Sequence, residues 1–417
     1  MGVRGAMAVY YGMTGMLSAF WGATLPATDA RLDLGAARLG VLLTVLAVGA
    51  LLAMPIAGRV AERWTGQRLL QFVSPAASLA LIGPALVPSF ESLRVSAFVL
   101  GMLLGAVNVA LSVQAVAVER TLERPIMATM HGVWTLGAVA GGALISQGLR
   151  IGLAVQFLMV AGAATLALIG FAVGPKLRVP HGSIATPQRK DDESRGPVPT
   201  AAVLRPVLMV VLGLVGSAAF VTEGAATDWA GVHATRVLGA DPATGSLVYT
   251  VFFAAMTLVR FVGDAVRARL GAPTTIRLAG GTAVIGYGLV LLAGVLPGSG
   301  SMPIGCAMAG WALAGGGTAM VWPIVISTLG SVAGNSRRLS TVTAISYGGG
   351  LIGPAVIGYV ATVSNLPTAL LIPAALALAV AAVAPMALRA VVRPHVVDEG
   401  QRDTRSARAQ TPHRGEP

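Results

Sequence analysis

Two carboxylates stand in a stretch of chain where carboxylates are costly. Residues 220–231 read Phe-Val-Thr-Glu-Gly-Ala-Ala-Thr-Asp-Trp-Ala-Gly, inside an apolar run that opens near Pro206. Glu223 and Asp228 therefore fall where a helix crossing a lipid bilayer is expected. An ionised side chain at the bilayer centre costs about 2.5–3.5 kcal/mol on insertion scales, and acids kept there mark substrate or proton paths. The chemistry such a group offers is reversible protonation. Glu223 comes roughly 25 Å along the span from Pro206 at ~1.5 Å per residue, which suits a site that loads and releases a proton. The plain alternative is a protonated carboxyl bonded to a neighbouring helix. Asp228 follows five residues later, ~140° around a regular helix. The two acids are thus not expected on one face unless Gly224 breaks the helix. With Trp229 and His233 behind it, Asp228 reads as a residue of the membrane–water boundary; a gate or proton-access role is the other reading.

A second set of polar and aromatic side chains could meet a solute. Asn108, Ser112 and Glu119 fall on one face of a helix, either lining a cavity or bonding another helix, while Gln114 lies off that stripe and reads as structural. His131, Trp134 and Thr135 share a face of the next span. A neutral His131 there either bonds substrate, relays a proton near its unperturbed pKa of ~6.5, or makes an interhelical hydrogen bond. Trp21 with Tyr10 and Tyr11, and Trp322 with Trp311, supply rings for stacking or for packing and anchoring.

The elements that must position these groups follow from composition. The chain has 417 residues, 55% hydrophobic and only 11% charged, with a mean hydropathy of +0.77. Soluble domains carry about 25% charged residues, so water solubility throughout is excluded. Twelve apolar runs, near 7–28, 39–58, 69–87, 95–117, 126–147, 152–173, 206–232, 244–262, 276–296, 303–328, 342–363 and 368–390, have the ~20 residues a helix needs to cross a ~30 Å hydrocarbon core. A β-barrel is excluded, since its strands alternate in ~10-residue segments. The predicted class is an all-α membrane protein.

The net charge of +12 is a topology signal, not a nucleic-acid one. With these spans, 24 of the 29 Lys and Arg lie on one side; Arg31, Arg38, Arg94, Arg150 and Arg236 lie on the other. Excess positive charge in short loops sets the cytoplasmic face. A multi-pass protein of the cell inner (plasma) membrane is expected, both termini cytoplasmic. The first run, longer than a signal-peptide core, reads as an uncleaved helix. Cys306 is the one cysteine, so no intramolecular disulfide or cysteine metal cluster is expected. No phosphate-binding or dinucleotide loop is present, and neither cofactor nor metal is expected.

Residues 175–205 are rich in Pro and charge, which reads as a cytoplasmic linker. It divides a six-helix bundle at 1–174 from a second at 206–392, and 393–417 read as a disordered tail. The halves look like repeats. Gly58-x-x-x-Glu62-Arg63 leads to Gly66-Gln-Arg68 between spans two and three, and Gly263-Asp264 through Arg269 occupies the corresponding place between spans eight and nine. Gly137-x-x-x-Gly141 in span five is matched by Gly349-x-x-x-Gly353 in span eleven. Parallel six-helix repeats are a transporter plan.

At these residues the chain resembles the major facilitator superfamily across nearly its whole length. The resemblance implies twelve transmembrane helices in two pseudo-symmetric six-helix bundles. It also implies that the Gly58–Arg68 turn, with Glu62, Arg63 and their counterparts Gly263, Asp264 and Arg269, latches an inner gate. Glu62 stands for the usual Asp and Thr65 for an expected Gly. Three further stretches are similar to the MosC-like branch of bacterial inner-membrane permeases: Glu119-Arg120 to Pro125, His131-x-x-Trp134-x-x-Gly137, and Glu223-Gly224 to Asp228-Trp229. In that branch an Arg often follows the first-helix Trp; here Trp21-Gly22-Ala23 is followed by Thr24.

The expected function is secondary transport of a small organic solute by alternating access, with H⁺ as driving ion and the bilayer as partner, in a monomer that binds no nucleic acid. A proton-driven drug or metabolite efflux pump is the alternative. A non-transporting sensor or scaffold would need a soluble effector domain, and neither linker nor tail reaches the ~50 residues of a small domain. A membrane enzyme is not expected, as no acid pair, metal-ligand cluster or Ser-His constellation gathers at one level.

Overall fold

The computed structural model describes residues 2–122, 126–177, 206–296, 300–332 and 336–409. In the first half the helices are α1 (Val3–Gly22), α2 (Leu25–Leu32), α3 (Gly35–Arg63), α4 (Gly66–Ala80), α5 (Ile82–Leu86), α6 (Phe90–Leu122), α7 (Met127–Arg150) and α8 (Val155–Val173). In the second they are α9 (Pro206–Ala225), α10 (Gly231–Arg236), α11 (Pro242–Leu270), α12 (Ala272–Ala293), α13 (Ser301–Thr318), α14 (Val321–Val332), α15 (Ser336–Val363), α16 (Leu366–Ala369) and α17 (Leu371–Ala409).

Among the described residues, eleven helices or helix pairs are long and apolar enough to cross a membrane, from Gly35–Ala61 to Leu366–Val391. The first expected span, 7–28, is not one of them. It is split between α1 and α2 at Ala23–Thr24, because Pro26 has no N–H to give the Gly22 carbonyl. The Thr24 hydroxyl turns back instead, donating to the Phe20 carbonyl at 2.7 Å and the Trp21 carbonyl at 3.0 Å.

The halves repeat each other's packing. Helix α1 packs on α7 as α9 packs on α15, α3 on α6 as α11 on α13, and α4 on α8 as α12 on α17. Small residues permit these approaches: Gly137 of α7 rests against the backbone of Gly12. The halves meet most extensively through α3 with α15 and α7 with α11, and the repeat relates one contact to the other.

The end of the first half is closed by side chains bonding to carbonyls. Tyr10 donates to Gly170 at 2.7 Å, Gln71 to Gly174 at 2.6 Å and Gln114 to Leu177 at 2.9 Å, where Gly174–Leu177 form a 3-10 turn. Most of the expected linker, 178–205, lies outside the described residues. Helix α17 runs on to Ala409, into the stretch read as a tail. A helix already under way extends cheaply through good helix formers such as Ala, Arg, Glu and Gln. Residues 410–417 lie outside the described residues.

Candidate functional site

Glu223 lies about midway along the Pro206–Arg236 span, and the structure gives it a partner that sequence reasoning missed. Arg260 of α11 places Nη2 3.7 Å from Glu223 Oε2, with the two side chains only 16% and 20% exposed. Glu223 is therefore not an isolated charge within the bundle. Arg260 falls near the end of the expected 244–262 span. Helix α11 instead runs to Leu270, which puts Arg260 two to three turns inside it. A signal was available, since a membrane acid needs a compensating group and Arg260 lies within an apolar run.

The second acid follows through a change of backbone register. Residues Ala226–Ala230 form a π-helical turn, whose i→i+5 bonding brings residues five apart toward one face. Composition does not betray that change of backbone register, so the ~140° separation of a regular helix does not apply. Tyr249 of α11 interacts electrostatically with both Asp228 and Glu223, and its buried hydroxyl has no hydrogen-bond partner. The Thr227 hydroxyl donates to the Glu223 carbonyl at 2.9 Å, satisfying backbone at the wide turn.

Groups from the first half face this pair. His131 of α7 interacts electrostatically with Arg260 and takes the Tyr11 ring edge-on at 5.9 Å between centroids. Tyr11 in turn interacts with Glu119 of α6 and with Tyr347 of α15. Trp134, on the His131 face of α7, meets Phe253 of α11 edge-on at 5.9 Å. On the far side, Phe220 stacks on Tyr347 at 4.6 Å and 27°, and packs on Trp322 at 5.2 Å. Phe220 is one turn before Glu223, so this aromatic wall adjoins the ion pair. Its members Phe220 and Tyr347 were not anticipated; an aromatic one turn from a membrane acid was the available clue.

The remaining predicted residues divide. Asn108 is exposed on α6 and its carbonyl accepts from the Ser112 hydroxyl at 2.8 Å. Trp21 is buried, and its Nε1 has no hydrogen-bond partner. Glu119 accepts from the Ile126 N–H at 2.7 Å, fixing the turn from α6 into α7. The predicted inner-gate residues are not brought together. Arg63, Arg68, Asp264 and Arg269 are exposed, and among the described residues none of the four is in an ion pair; the side chain of Glu62 lies outside the described residues. Gly58 is half-buried on α3, and Gly263 packs against Met320.

The ties between halves gather at the other end. Arg236 Nε donates to Asp29 Oδ2 at 2.5 Å and Nη2 to Asp29 Oδ1 at 2.8 Å, with Asp33 at 3.4 Å. Ser246 donates to the Ala23 carbonyl at 2.6 Å and Ser146 to the Ala243 carbonyl at 2.9 Å. Gly40 and Gly358 meet backbone to backbone. The exposed Arg63, Arg68, Asp264 and Arg269 lie at the opposite end of the bundle from these ties.

Comparison with known proteins agrees with this architecture. Residues 6–338 match the family described as Major Facilitator Superfamily. The chain is 30% identical over 378 residues to the uncharacterized transporter y4wD of Sinorhizobium fredii, covering 90% of this chain and 95% of that one. It is 29% identical over 369 residues to the membrane protein MosC of Rhizobium meliloti, covering 88% and 85%. Among solved structures, a nucleoside transporter NupG superposes with a TM-score of 0.69 at 13% identity, over 94% of this chain and 100% of that one. A bacterial homolog of the human lysosomal transporter Spinster superposes with a TM-score of 0.65 at 14% identity, over 94% and 97%.

Proposed function

The chain belongs to the Major Facilitator Superfamily, and from that premise we propose that it carries a small organic solute across the bacterial inner membrane by proton-coupled alternating access. The observation that carries this reading is the Glu223–Arg260 pair, set inside the bundle where His131 and Tyr11 of the other half face it. A carboxylate beside one arginine has two stable conditions. Ionised, it compensates the guanidinium; protonated, it releases it. Proton binding therefore changes the charge felt by whatever occupies the space between the halves, which couples occupancy to protonation.

In this reading both termini are cytoplasmic, and the Asp29–Arg236 tie closes the periplasmic end. Substrate then meets the pair from the cytoplasmic end in the state described, and the rocking of the two halves exposes it to the other side. The working unit is the monomer, because the groups assembled around Glu223 all come from one chain. Asp228, on the π-turn, stands between Glu223 and the tied end and serves as the next proton stop.

The test is proton flux. Purified protein is reconstituted into vesicles loaded with a pH-sensitive dye, and a panel of sugars, polyols, nucleosides, amino acids and organic acids is added outside. At least one class drives dye acidification in wild type, and Glu223→Gln abolishes that signal while remaining folded. Full retention of solute-driven proton flux by Glu223→Gln would remove Glu223 from the coupling step.

A further inference from the structure

The pair at the centre of the bundle also restricts what the space accepts. We propose that the substrate is an organic anion, a carboxylate on a planar apolar body, whose carboxylate replaces Glu223 on Arg260 while its flat face rests against Phe220, Trp322 and Tyr347. This rests on the reading of Glu223 as the proton site, and it adds the chemical class of the solute.

Three observations lead here. The first is geometric. Strong arginine–carboxylate pairs are bidentate, with N–O distances of about 2.7–2.9 Å. Arg260 instead makes one 3.7 Å approach to Glu223, and its buried Nε has no acceptor. A guanidinium presents five N–H donors in a rigid fork, so most of this fork is unused inside a membrane protein. A second carboxylate is the group whose shape fits it.

The second is charge. When Glu223 takes a proton, Arg260 is left as an uncompensated cation in a half-buried site, a costly condition. An incoming anion restores the balance. One proton and one monoanion then enter together, and the charge carried by the moving bundle is unchanged. The groups facing Glu223 do not supply that negative charge: they are Arg260 and Tyr249 from α11 and Tyr347 from α15, with His131 of α7 beyond Arg260. Asp228, on the same helical run as Glu223, interacts electrostatically with Tyr249.

The third is the wall. Phe220 and Tyr347 lie within 27° of parallel at 4.6 Å, and Trp322 closes the corner at 5.2 Å from Phe220. Trp322 and Phe220 are half-buried and Tyr347 is exposed, so the cluster offers ring surface one turn from the ion pair. Offset or edge contact with a planar guest is the arrangement aromatic rings favour.

Equilibrium binding of radiolabelled benzoate to the purified full-length protein tests this, with benzamide and benzylamine as the neutral and cationic versions of the same ring. Benzoate is expected to bind saturably and at least tenfold tighter than either. Its affinity is expected to rise by roughly tenfold per unit fall in pH across the range where one linked proton is taken up. Arg260→Gln is expected to weaken benzoate more than tenfold, and Arg260→Lys, which keeps the charge but not the fork, by less. Glu223→Gln is expected to remove the pH dependence. Benzamide binding as tightly as benzoate, tighter binding of benzylamine, benzoate affinity untouched in both Arg260 variants, or no binding of any of the three would each overturn the anion proposal. The two readings fail separately. Benzoate held by Arg260 with its pH dependence intact in Glu223→Gln sinks the proton assignment alone, whereas Glu223-dependent proton flux driven by a neutral or cationic solute sinks the anion assignment alone.

Discussion

Arg236 grips Asp29 with two donors across 207 positions of the chain. Asp29 sits just after the first span and Arg236 just after the seventh, which are equivalent places in the two repeats. The carboxylate side chain is only 2% exposed against 41% for the guanidinium, and the Gly35 N–H also donates to Asp29 at 2.9 Å. Breaking a fully buried pair costs about 3–5 kcal/mol and an exposed one about 0–1 kcal/mol, so a value of roughly 1–3 kcal/mol is expected for this half-buried case. Arg236→Gln leaves the carboxylate buried and unpaired and is expected to shift the molecule toward opening at this end. Asp29→Asn, which removes the charge, is expected to do so less. Spin labels on Ala37→Cys and Ser364→Cys in a Cys306→Ser background measure it: their separation lengthens in Arg236→Gln. An unchanged distance distribution would show that the pair does not hold the end closed.

The same closure depends on two residues having no side chain. A Cβ on Gly358 would strike the Cα of Gly40 and the ring of Trp229, and one on Gly40 would strike the Gly358 backbone. Backbone cannot rotate away as a side chain tip can, so Gly358→Val must part α3 from α15. Overpacking of this kind costs typically about 1–3 kcal/mol. The expected outcome is the same lengthening between the Ala37→Cys and Ser364→Cys labels. Combined with Arg236→Gln, it is expected to add little further, because both act on one closure and coupled sites do not sum.

What could be read from the sequence and what could not divides along physical lines. Apolar run length is a local property, and it placed the spans well: the run at 342–363 coincides with Val342–Val363, and 206–232 with Pro206–Arg236 to within four residues. The repeat was visible too, because glycine and charge positions recur at matching places. Three things were hidden. Arg260, near the end of the 244–262 run, resembles a boundary residue; only the continuation of α11 to Leu270 makes it internal. The position of Asp228 depends on a π-turn, a backbone detail with no composition signature. The tie between Asp29 and Arg236 joins two short helices far apart in the chain, and periodicity says nothing about which of their residues meet. Of the candidate site, the acid and the rings from the first half were legible, and the counter-charge was not.

Thr65 is an expected glycine, and the backbone keeps the glycine shape. Its φ of 125° with ψ of 146° lies in a region that only glycine adopts freely, at a cost of about 1–3 kcal/mol for other residues. The side chain gives something back: its hydroxyl accepts from the Arg68 N–H at 3.3 Å, capping α4. Glycine is itself a tolerated N-cap, losing only a few tenths of a kcal/mol against Thr. Strain relief therefore wins. Thr65→Gly is expected to stabilise the protein by about 1 kcal/mol, seen as a higher melting temperature in detergent. A lower melting temperature would mean that the cap outweighs the strain.

Gln114 marks the difference between a polar residue kept for structure and one kept for function. It sits on α6 a short way from Ser112, yet it is 3% exposed and its Nε2 donates to the Leu177 carbonyl at 2.9 Å. That bond fastens the 3-10 turn after α8 to the body of the first half, away from the Glu223–Arg260 pair. Gln114→Ala deletes the donor, strands a buried carbonyl and opens a small void, for an expected loss of about 1–3 kcal/mol. Solute-driven proton flux, normalised to the amount of folded protein, is expected to stay at the wild-type level. Glu223→Gln is expected to do the reverse, with flux abolished and melting temperature little changed. Thermal melts and dye-loaded vesicles run on both variants decide it: a flux defect in Gln114→Ala that persists after normalisation would place this glutamine among the working residues.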